Sequence, residues 1–168
     1  MMQFSTKAST LKSLSGLVKS AKVTPMHMFT VADWRADSGQ LLSSILEKFP
    51  DQEMIVRSSC KNEDSVSHSN AGAFLSVMNV VAADLEAAIE QVIASYGEAQ
   101  WDDEVLVQPM LENVVRSGVG FSHDPNTCAP YRIINWSEGS DTASVTGGPE
   151  AGLATRLLPA RCGHLAHP

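Results

Sequence analysis

The sequence predicts an α+β fold, and three observations support this prediction. Short apolar segments rich in β-branched residues have the composition of strands. Other segments repeat apolar residues at helical spacing. Helices and strands are mixed in the first part of the chain and strands alone follow, an order typical of α+β proteins. The chain has 168 residues, which suits one domain or two small lobes with a useful core.

In the first part of the chain, turn and capping signals separate the elements. Thr6 is suited to cap a first helix, and Asp33 a second, whose middle Gly39 weakens and can break. Pro50 and Asp51 turn the chain into the next strand. The predicted elements here are a helix over residues 6–21, a strand over 27–31, a helix over 33–49 and a strand over 53–59.

The second part contains the clearest helical pattern, over residues 82–96, with Gly97 after it. Gly118 and Gly120 indicate close backbone approach, either to another strand or to a ligand. From Gly147 onward no period is visible, so residues 149–168 are expected to form a tail without clear structure. The remaining predictions are a polar loop over 60–72 and strands over 74–80, 104–110, 117–122, 131–136 and 142–146.

Composition excludes several classes of function. The net charge of −7 argues against a nucleic-acid-binding surface, which needs clustered Lys and Arg to neutralise phosphates. No apolar run approaches the roughly 20 residues that cross a bilayer, so no membrane partner is expected. The N-terminal sequence lacks an apolar signal core, which predicts a cytoplasmic protein. Cys60, Cys128 and Cys162 form no CxxC pair, which favours reduced thiols over a disulfide framework or a zinc site.

The stretch from Met54 to Phe74 is the strongest candidate for a binding site. A buried strand delivers Arg57 and two serines, and a loop of small polar residues comes after it. An arginine fork and free backbone N–H groups are suited to hold phosphate. The structural alternative is that Arg57 is paired with Glu63 and Asp64 and that the loop is only a solvated connection. Lys7 is either a surface charge or a second contact to the same anion.

Two further patterns have both a structural and a functional interpretation. The segment Val105 to Met110 is either a plain core strand or a strand whose free backbone edge binds an adenine, with Met110 on the ring. Glu138 and Asp141 are either exposed loop charges or ligands of Mg²⁺ between phosphate oxygens. The five histidines show no metal-ligand spacing and no partner signature, so none is assigned a catalytic role.

Taken together, these segments resemble the N-terminal ATP-binding domain of the pyruvate phosphate dikinase and phosphoenolpyruvate synthase family, which has an ATP-grasp-like fold. The resemblance covers roughly residues 4–148, and ordered motifs are more specific than any one of them. The matching segments are Thr6-Lys7-Ala8 with Leu11; Val23–Val31; Val56-Arg57-Ser58-Ser59 with Glu63-Asp64; Ser69 with Ala71-Gly72; Val107-Gln108-Pro109-Met110; and Ser117-Gly118-Val119 with Phe121 and Asp124-Pro125.

The resemblance implies a set of site residues for ATP and Mg²⁺. Lys7 and Arg57 would contact the phosphates, and Arg57 would be the catalytic residue. Asp141 falls where the family has a metal-binding glutamate, and its shorter side chain departs from that pattern. Thr6 also departs, because the family has glycines before the lysine. The implied nucleotide-binding residues are Lys7, Arg57, Ser58, Ser69, Ala71, Gly72, Gln108, Pro109 and Met110.

The resemblance also implies a domain plan and a function. Residues 1–104 would form the N-terminal lobe, 105–148 a hinge and the start of a second β-rich lobe. The chain would bind ATP and Mg²⁺ for phosphoryl transfer to a histidine on a phosphohistidine domain, either missing C-terminal sequence or a separate protein. The chain lacks that domain, which predicts a truncated or stand-alone version, incomplete alone. The alternatives are a non-catalytic nucleotide-binding or regulatory remnant and, third, an ATP-grasp carboxylate ligase.

Overall fold

A computed structural model describes residues 6–60, 64–65, 68–69, 75–97, 100–124, 127–139 and 154–159. These residues form a mixed α+β structure with antiparallel sheets, as the sequence predicts. The chain comprises two compact units, Met1–Met110 and Leu111–Pro168. Among the described residues, no helix combines the length and the apolar character that crossing a membrane requires.

The first unit contains helices and strands in mixed order. Its elements are α1 (Lys7–Ser15), β1 (His27–Thr30), α2 (Val31–Ala36), α3 (Ser38–Lys48), β2 (Met54–Ser59), β3 (Asp64–Ser65), β4 (His68–Ser69), β5 (Ser76–Val80), a 3₁₀ turn (Ala82–Asp84), α4 (Leu85–Ala94) and β6 (Glu104–Pro109). Four of the strands form one antiparallel sheet in the order β1-β6-β2-β5. The short strands β3 and β4 pair with each other inside the segment predicted as a loop.

The core of this unit lies between one face of the four-stranded sheet and the helices α2, α3 and α4. The helix α4 contacts β2, β5 and β6, and its buried side chains continue the apolar cluster. This cluster explains why the pattern over 82–96 is the clearest in the chain, since one side of the helix is fully apolar. The buried residues of the cluster are Phe29, Val31, Trp34, Ile45, Phe49, Met54, Val56, Val80, Leu85, Ala88, Ile89, Val92, Ile93, Val105 and Val107.

The helix starts are set by local capping. Thr6 caps α1 as predicted, and its hydroxyl accepts a hydrogen bond from Ser9 N at 3.3 Å. The predicted cap at Asp33 is wrong: Thr30 is the N-cap of α2, and Asp33 completes a capping box with it. The sequence allows a break at Gly39 in the helix over 33–49, and the structure has a break two residues earlier. The break falls at Asp37, whose carboxylate accepts from Gln40 N at 2.9 Å and starts α3.

The second unit contains a three-stranded antiparallel sheet. Its strands are β7 (Arg116–Phe121), β8 (Tyr131–Glu138) and β9 (Ala154–Pro159), in that order across the sheet. The segment 149–168 was expected to form a tail without clear structure, because it shows no alternation of apolar residues. It contains the strand β9, which pairs with β8. The glycine at 118 is explained by another strand, because a Cβ there would lie 2.6 Å from the backbone oxygen of Asn135. The predicted strand over 142–146 lies outside the described residues.

The strand β6 belongs to the first unit. The resemblance implies a hinge from residue 105 onward, a domain plan that stays a prediction, and β6 is an internal strand of the first sheet, bonded to β1 and β2 on its two sides. The side chains of an internal strand pack in the same core as those of the neighbouring strands. Residues 105–110 therefore lie within the first unit.

Candidate functional site

The four-stranded sheet has two chemically different faces. The register sets Arg57 opposite Leu106, and Ser59 opposite Glu104. Because side chains alternate along a strand, these residues share a face that is opposite to the apolar core. We call the face of Val56, Val105 and Val107 the core face, and the face bearing Arg57, Ser59, Glu104 and Gln108 the polar face.

The first turn of α1 is attached to the polar face by hydrogen bonds. The backbone N–H of Ala8 donates to the Ser59 hydroxyl at 2.8 Å. The carboxylate of Glu104 accepts hydrogen bonds from the hydroxyl of Thr6, from Ser9 Oγ at 3.2 Å and from Ser59 Oγ at 3.4 Å. Elements that are far apart in sequence are thereby joined at the end of β2.

This attachment brings Lys7 to the strand that carries Arg57. The ammonium of Lys7 lies 3.5 Å from the carbonyl oxygen of Ser58. Ser58, predicted as a nucleotide-binding residue, is only 1% exposed and lies opposite Val105, so its hydroxyl belongs to the core face. Of the predicted site residues, Lys7 and the backbone next to Arg57 are brought together, and the Ser58 hydroxyl is directed elsewhere.

Arg57 has an unusual environment. Its Nε atom is buried and has no hydrogen-bond partner among the described residues. Leaving a buried donor unpaired costs about 1–3 kcal/mol, so such atoms are rare in folded proteins. The expected supports can only partly be placed, because Glu63 lies outside the described residues and Asp64 is described by its backbone alone. An anion bound on this face would supply the acceptor that Nε lacks.

The segment Gln108–Met110 is held in the sheet. The amide of Gln108 donates to Thr24 Oγ1 at 2.6 Å, and Met110 N donates to the carbonyl oxygen of Glu53 at 2.8 Å. The ladder between β1 and β6 ends at the pair His27–Val107, whereas the ladder with β2 continues to Pro109. Since alternate peptide groups of a strand face opposite neighbours, the Pro109 carbonyl faces the side beyond the end of β1.

The structure does not describe the side chains of the remaining predicted site residues. Ser69 is described only as a backbone residue of β4, and Ala71, Gly72 and Asp141 lie outside the described residues. Within the described part of the chain, no three or more His, Cys, Asp or Glu side chains group in a way that would hold a metal ion. The Mg²⁺ assignment to Asp141 therefore stays a prediction.

Two residues of this region were not identified from the sequence. Glu104 receives three hydroxyl groups, and Tyr96 donates its hydroxyl to the Glu104 carbonyl at 2.6 Å. The Tyr96 hydroxyl also accepts from Ser59 N at 3.4 Å. The available signal was an acidic residue directly before the apolar run Val105–Val107. Its partners depend on the register of β6 with β2, which a single sequence does not reveal.

Comparison with known proteins adds no assignment: no protein-family model matches this chain, and no curated protein matches it.

Proposed function

We propose that this chain is the ATP-binding part of a phosphotransferase of the pyruvate phosphate dikinase and phosphoenolpyruvate synthase type, with an ATP-grasp-like fold. The observation that carries the proposal is the buried Nε of Arg57, which has no partner among the described residues, on a strand that Lys7 also reaches. Two cationic side chains from separate elements are suited to bind a polyphosphate, because each can neutralise the negative charge of a different phosphate group.

The chemistry of phosphoryl transfer fits residues of this kind. Most of the catalytic contribution of a protein is positioning and stabilisation of charge on the transferred group. Arg57 would fork onto phosphate oxygens through its other N–H groups, and Nε would gain an acceptor. Lys7 would act as a point charge at the end of the same phosphate chain.

The edge of β6 supports an adenine site. The carbonyl of Pro109 faces the side beyond the end of β1, where a ligand amino group can donate to it. Gln108 would flank the site rather than bond the base, because its side-chain amide is bonded to Thr24 and its backbone pairs with Ile55 of β2. Met110 would pack on the ring through its flexible thioether. Mg²⁺ supplies charge neutralisation when bound, and Asp141 would be its ligand.

Isothermal titration with ATP and with AMP tests this function. Both Arg57→Ala and Lys7→Ala should weaken ATP binding by at least roughly tenfold, since each removes a charged hydrogen-bond donor. The same substitutions should weaken AMP binding less, because AMP lacks the β- and γ-phosphates. Lys12→Ala is the matched control, as Lys12 is an exposed lysine of the same helix. Normal ATP affinity in Arg57→Ala, with an unchanged circular dichroism spectrum, would refute the proposal.

The alternatives differ in the step after ATP has bound. A regulatory remnant would bind ATP without Mg²⁺ dependence, so Asp141→Ala would change nothing. A carboxylate ligase would release phosphate from ATP with an amino acid or other carboxylate present, and pyruvate would not replace it. The phosphotransferase would phosphorylate a histidine of an added phosphohistidine domain, and this acid-labile product identifies it.

A further inference from the structure

We propose that Glu104 is a positioning residue, whose carboxylate holds the first turn of α1 on the polar face and thereby keeps Lys7 at the end of β2. The consequence for ATP rests on the function proposed above, whereas the attachment of α1 does not depend on it. Glu104 acts here through Lys7.

The contacts of Glu104 make it the common partner of two elements. Thr6 and Ser9, at the start of α1, and Ser59, at the end of β2, all donate hydroxyl groups to its carboxylate. Ser59 is also the acceptor of the Ala8 N–H at 2.8 Å. Thr6 is 7% exposed and Ser59 is fully buried, whereas Ser9 and Glu104 are half-buried, so water competes least for the hydrogen bonds from Thr6 and Ser59. Hydrogen bonds to an ionised acceptor are about twice as strong as neutral ones.

The helix α1 needs an external anchor for physical reasons. It has nine residues, a length at which an isolated helix is marginal in water. Only Ala8 of the helix is buried, so little apolar area holds it on the sheet. Its first turn contains no acidic residue and begins with Lys7, a cation at the end where the helix dipole disfavours one. Glu104 supplies from β6 the negative charge that the first turn lacks.

The position of Glu104 is itself fixed. The Tyr96 hydroxyl donates to the Glu104 carbonyl at 2.6 Å, which holds the first residue of β6 beside the end of α4. The ladder with β2 pairs Glu104 with Ser59. The backbone of Glu104 is therefore held in place by these contacts, and the hydroxyl donors orient its carboxylate. A residue so held can place α1 reproducibly, which a flexible surface carboxylate cannot do.

Hydrogen exchange tests the attachment without any ligand. In Glu104→Ala, the amides of Ala8, Ser9 and Thr10 should exchange about tenfold faster, which corresponds to one lost hydrogen bond to a charged group. Glu104→Gln keeps one acceptor oxygen and loses the charge, so it should lie between that variant and the original protein. Glu47→Ala, at an exposed position of α3, is the control and should leave α1 unchanged.

The outcome that overturns the attachment is unchanged exchange of the α1 amides in both Glu104 variants. If Glu104→Ala fails to fold, Glu104→Gln and Ser9→Ala decide the question, because each removes only part of the cluster. Faster exchange over β2 and β6 as much as over α1 would also overturn the proposal, since it would make Glu104 a general support of the sheet.

A double-mutant cycle with Lys7 tests the consequence. Lys7→Ala and Glu104→Ala should each weaken ATP binding roughly tenfold, and the double variant should bind no more weakly than the weaker single variant. Losses that multiply would show that Glu104 does not act through Lys7. A protein that binds no ATP at all would refute the proposed function, and the exchange experiment would still report on the attachment.

Discussion

The core face and the polar face of the four-stranded sheet are satisfied by different interactions. On the core face, Val56, Val105 and Val107 pack with the apolar side of α4. On the polar face, Ser59, Glu104 and the first turn of α1 are joined by hydrogen bonds, and Arg57 keeps a buried donor without a described partner. The difference teaches that apolar packing satisfies the core face, whereas hydrogen bonds satisfy the polar face and, among the described residues, leave one buried donor, the Arg57 Nε, without an acceptor.

The largest expected effect is on the core face. Ile89, on α4, is fully buried in the cluster. Ile89→Ala should lower the free energy of unfolding by about 2–5 kcal/mol, from lost apolar burial and the cavity left behind. Urea unfolding measures this. Glu86→Ala, at an exposed position of the same helix, should change it by less than about 0.5 kcal/mol. Equal effects of the two substitutions would contradict the packing of this side of α4 on the core face.

The second prediction separates binding from stability at Arg57. Arg57→Met keeps a long apolar side chain and removes the buried donor, so the free energy of unfolding should stay equal or rise by up to about 1 kcal/mol. ATP binding should nevertheless be lost. A clear loss of stability on urea unfolding would instead make Arg57 a structural residue.

Arg35 is the matched control for this test, because it is paired. Its two guanidinium nitrogens lie 2.7 and 3.0 Å from the Glu90 carboxylate. Arg35→Met should lower the free energy of unfolding by about 0.5–1 kcal/mol, the range of exposed ion pairs of good geometry. The hydrogen bonds from Arg35 and Trp34 lower the pKa of Glu90. That pKa should rise in the variant, and nuclear magnetic resonance titration measures it.

The smallest expected effect is a dependence of stability on pH, caused by His27. Burial, and secondarily the charge of Lys48, lowers the pKa of His27. As pH falls, the unfolded chain therefore binds the proton first, so stability decreases from about pH 7 toward the folded pKa. Unfolding in urea at several pH values should show this slope, and His27→Gln should reduce it. An identical slope in that variant would refute the assignment.

Lys48→Gln provides a sharper measurement of the same effect. Removing the ammonium should raise the pKa of His27, while the contribution of burial remains. The ring signals of His27 report this shift in a nuclear magnetic resonance titration. A lower pKa in the variant would mean that Lys48 acts by another route than its charge, such as its 2.7 Å hydrogen bond to the Met26 carbonyl.

Much of the secondary structure could be predicted, because its signals are local. The helix over 82–96 and the strands near 27–31, 53–59 and 104–110 appear with small shifts of their ends. The failures at the helix ends are also local in origin. Asp37, followed by Ser38, caps a new helix two residues before Gly39, the break that the sequence allowed. Thr30 is the cap of α2, and Asp33 completes its capping box.

For the candidate site, too, the sequence predicts the residue types and the tertiary structure decides their orientation. The residue types of Lys7 and Arg57 suggested an anion, a prediction that depends on chemistry visible in the sequence. The orientation of Ser58 toward the core face and the role of Glu104 depend on alternation and register. A strand shifted by one residue exchanges its faces, and the local pattern MIVRSS does not by itself fix that choice.

The sequence by itself determined an α+β chain, the order of most of its elements and two candidate cations. The tertiary structure decided which side chains share a face, that β9 pairs with β8, and that Glu104 receives the hydroxyl groups of Thr6, Ser9 and Ser59. The reason is one of distance along the chain. Periodicity and capping act within about four residues, whereas sheet register and the attachment of α1 join positions that only the folded core brings together.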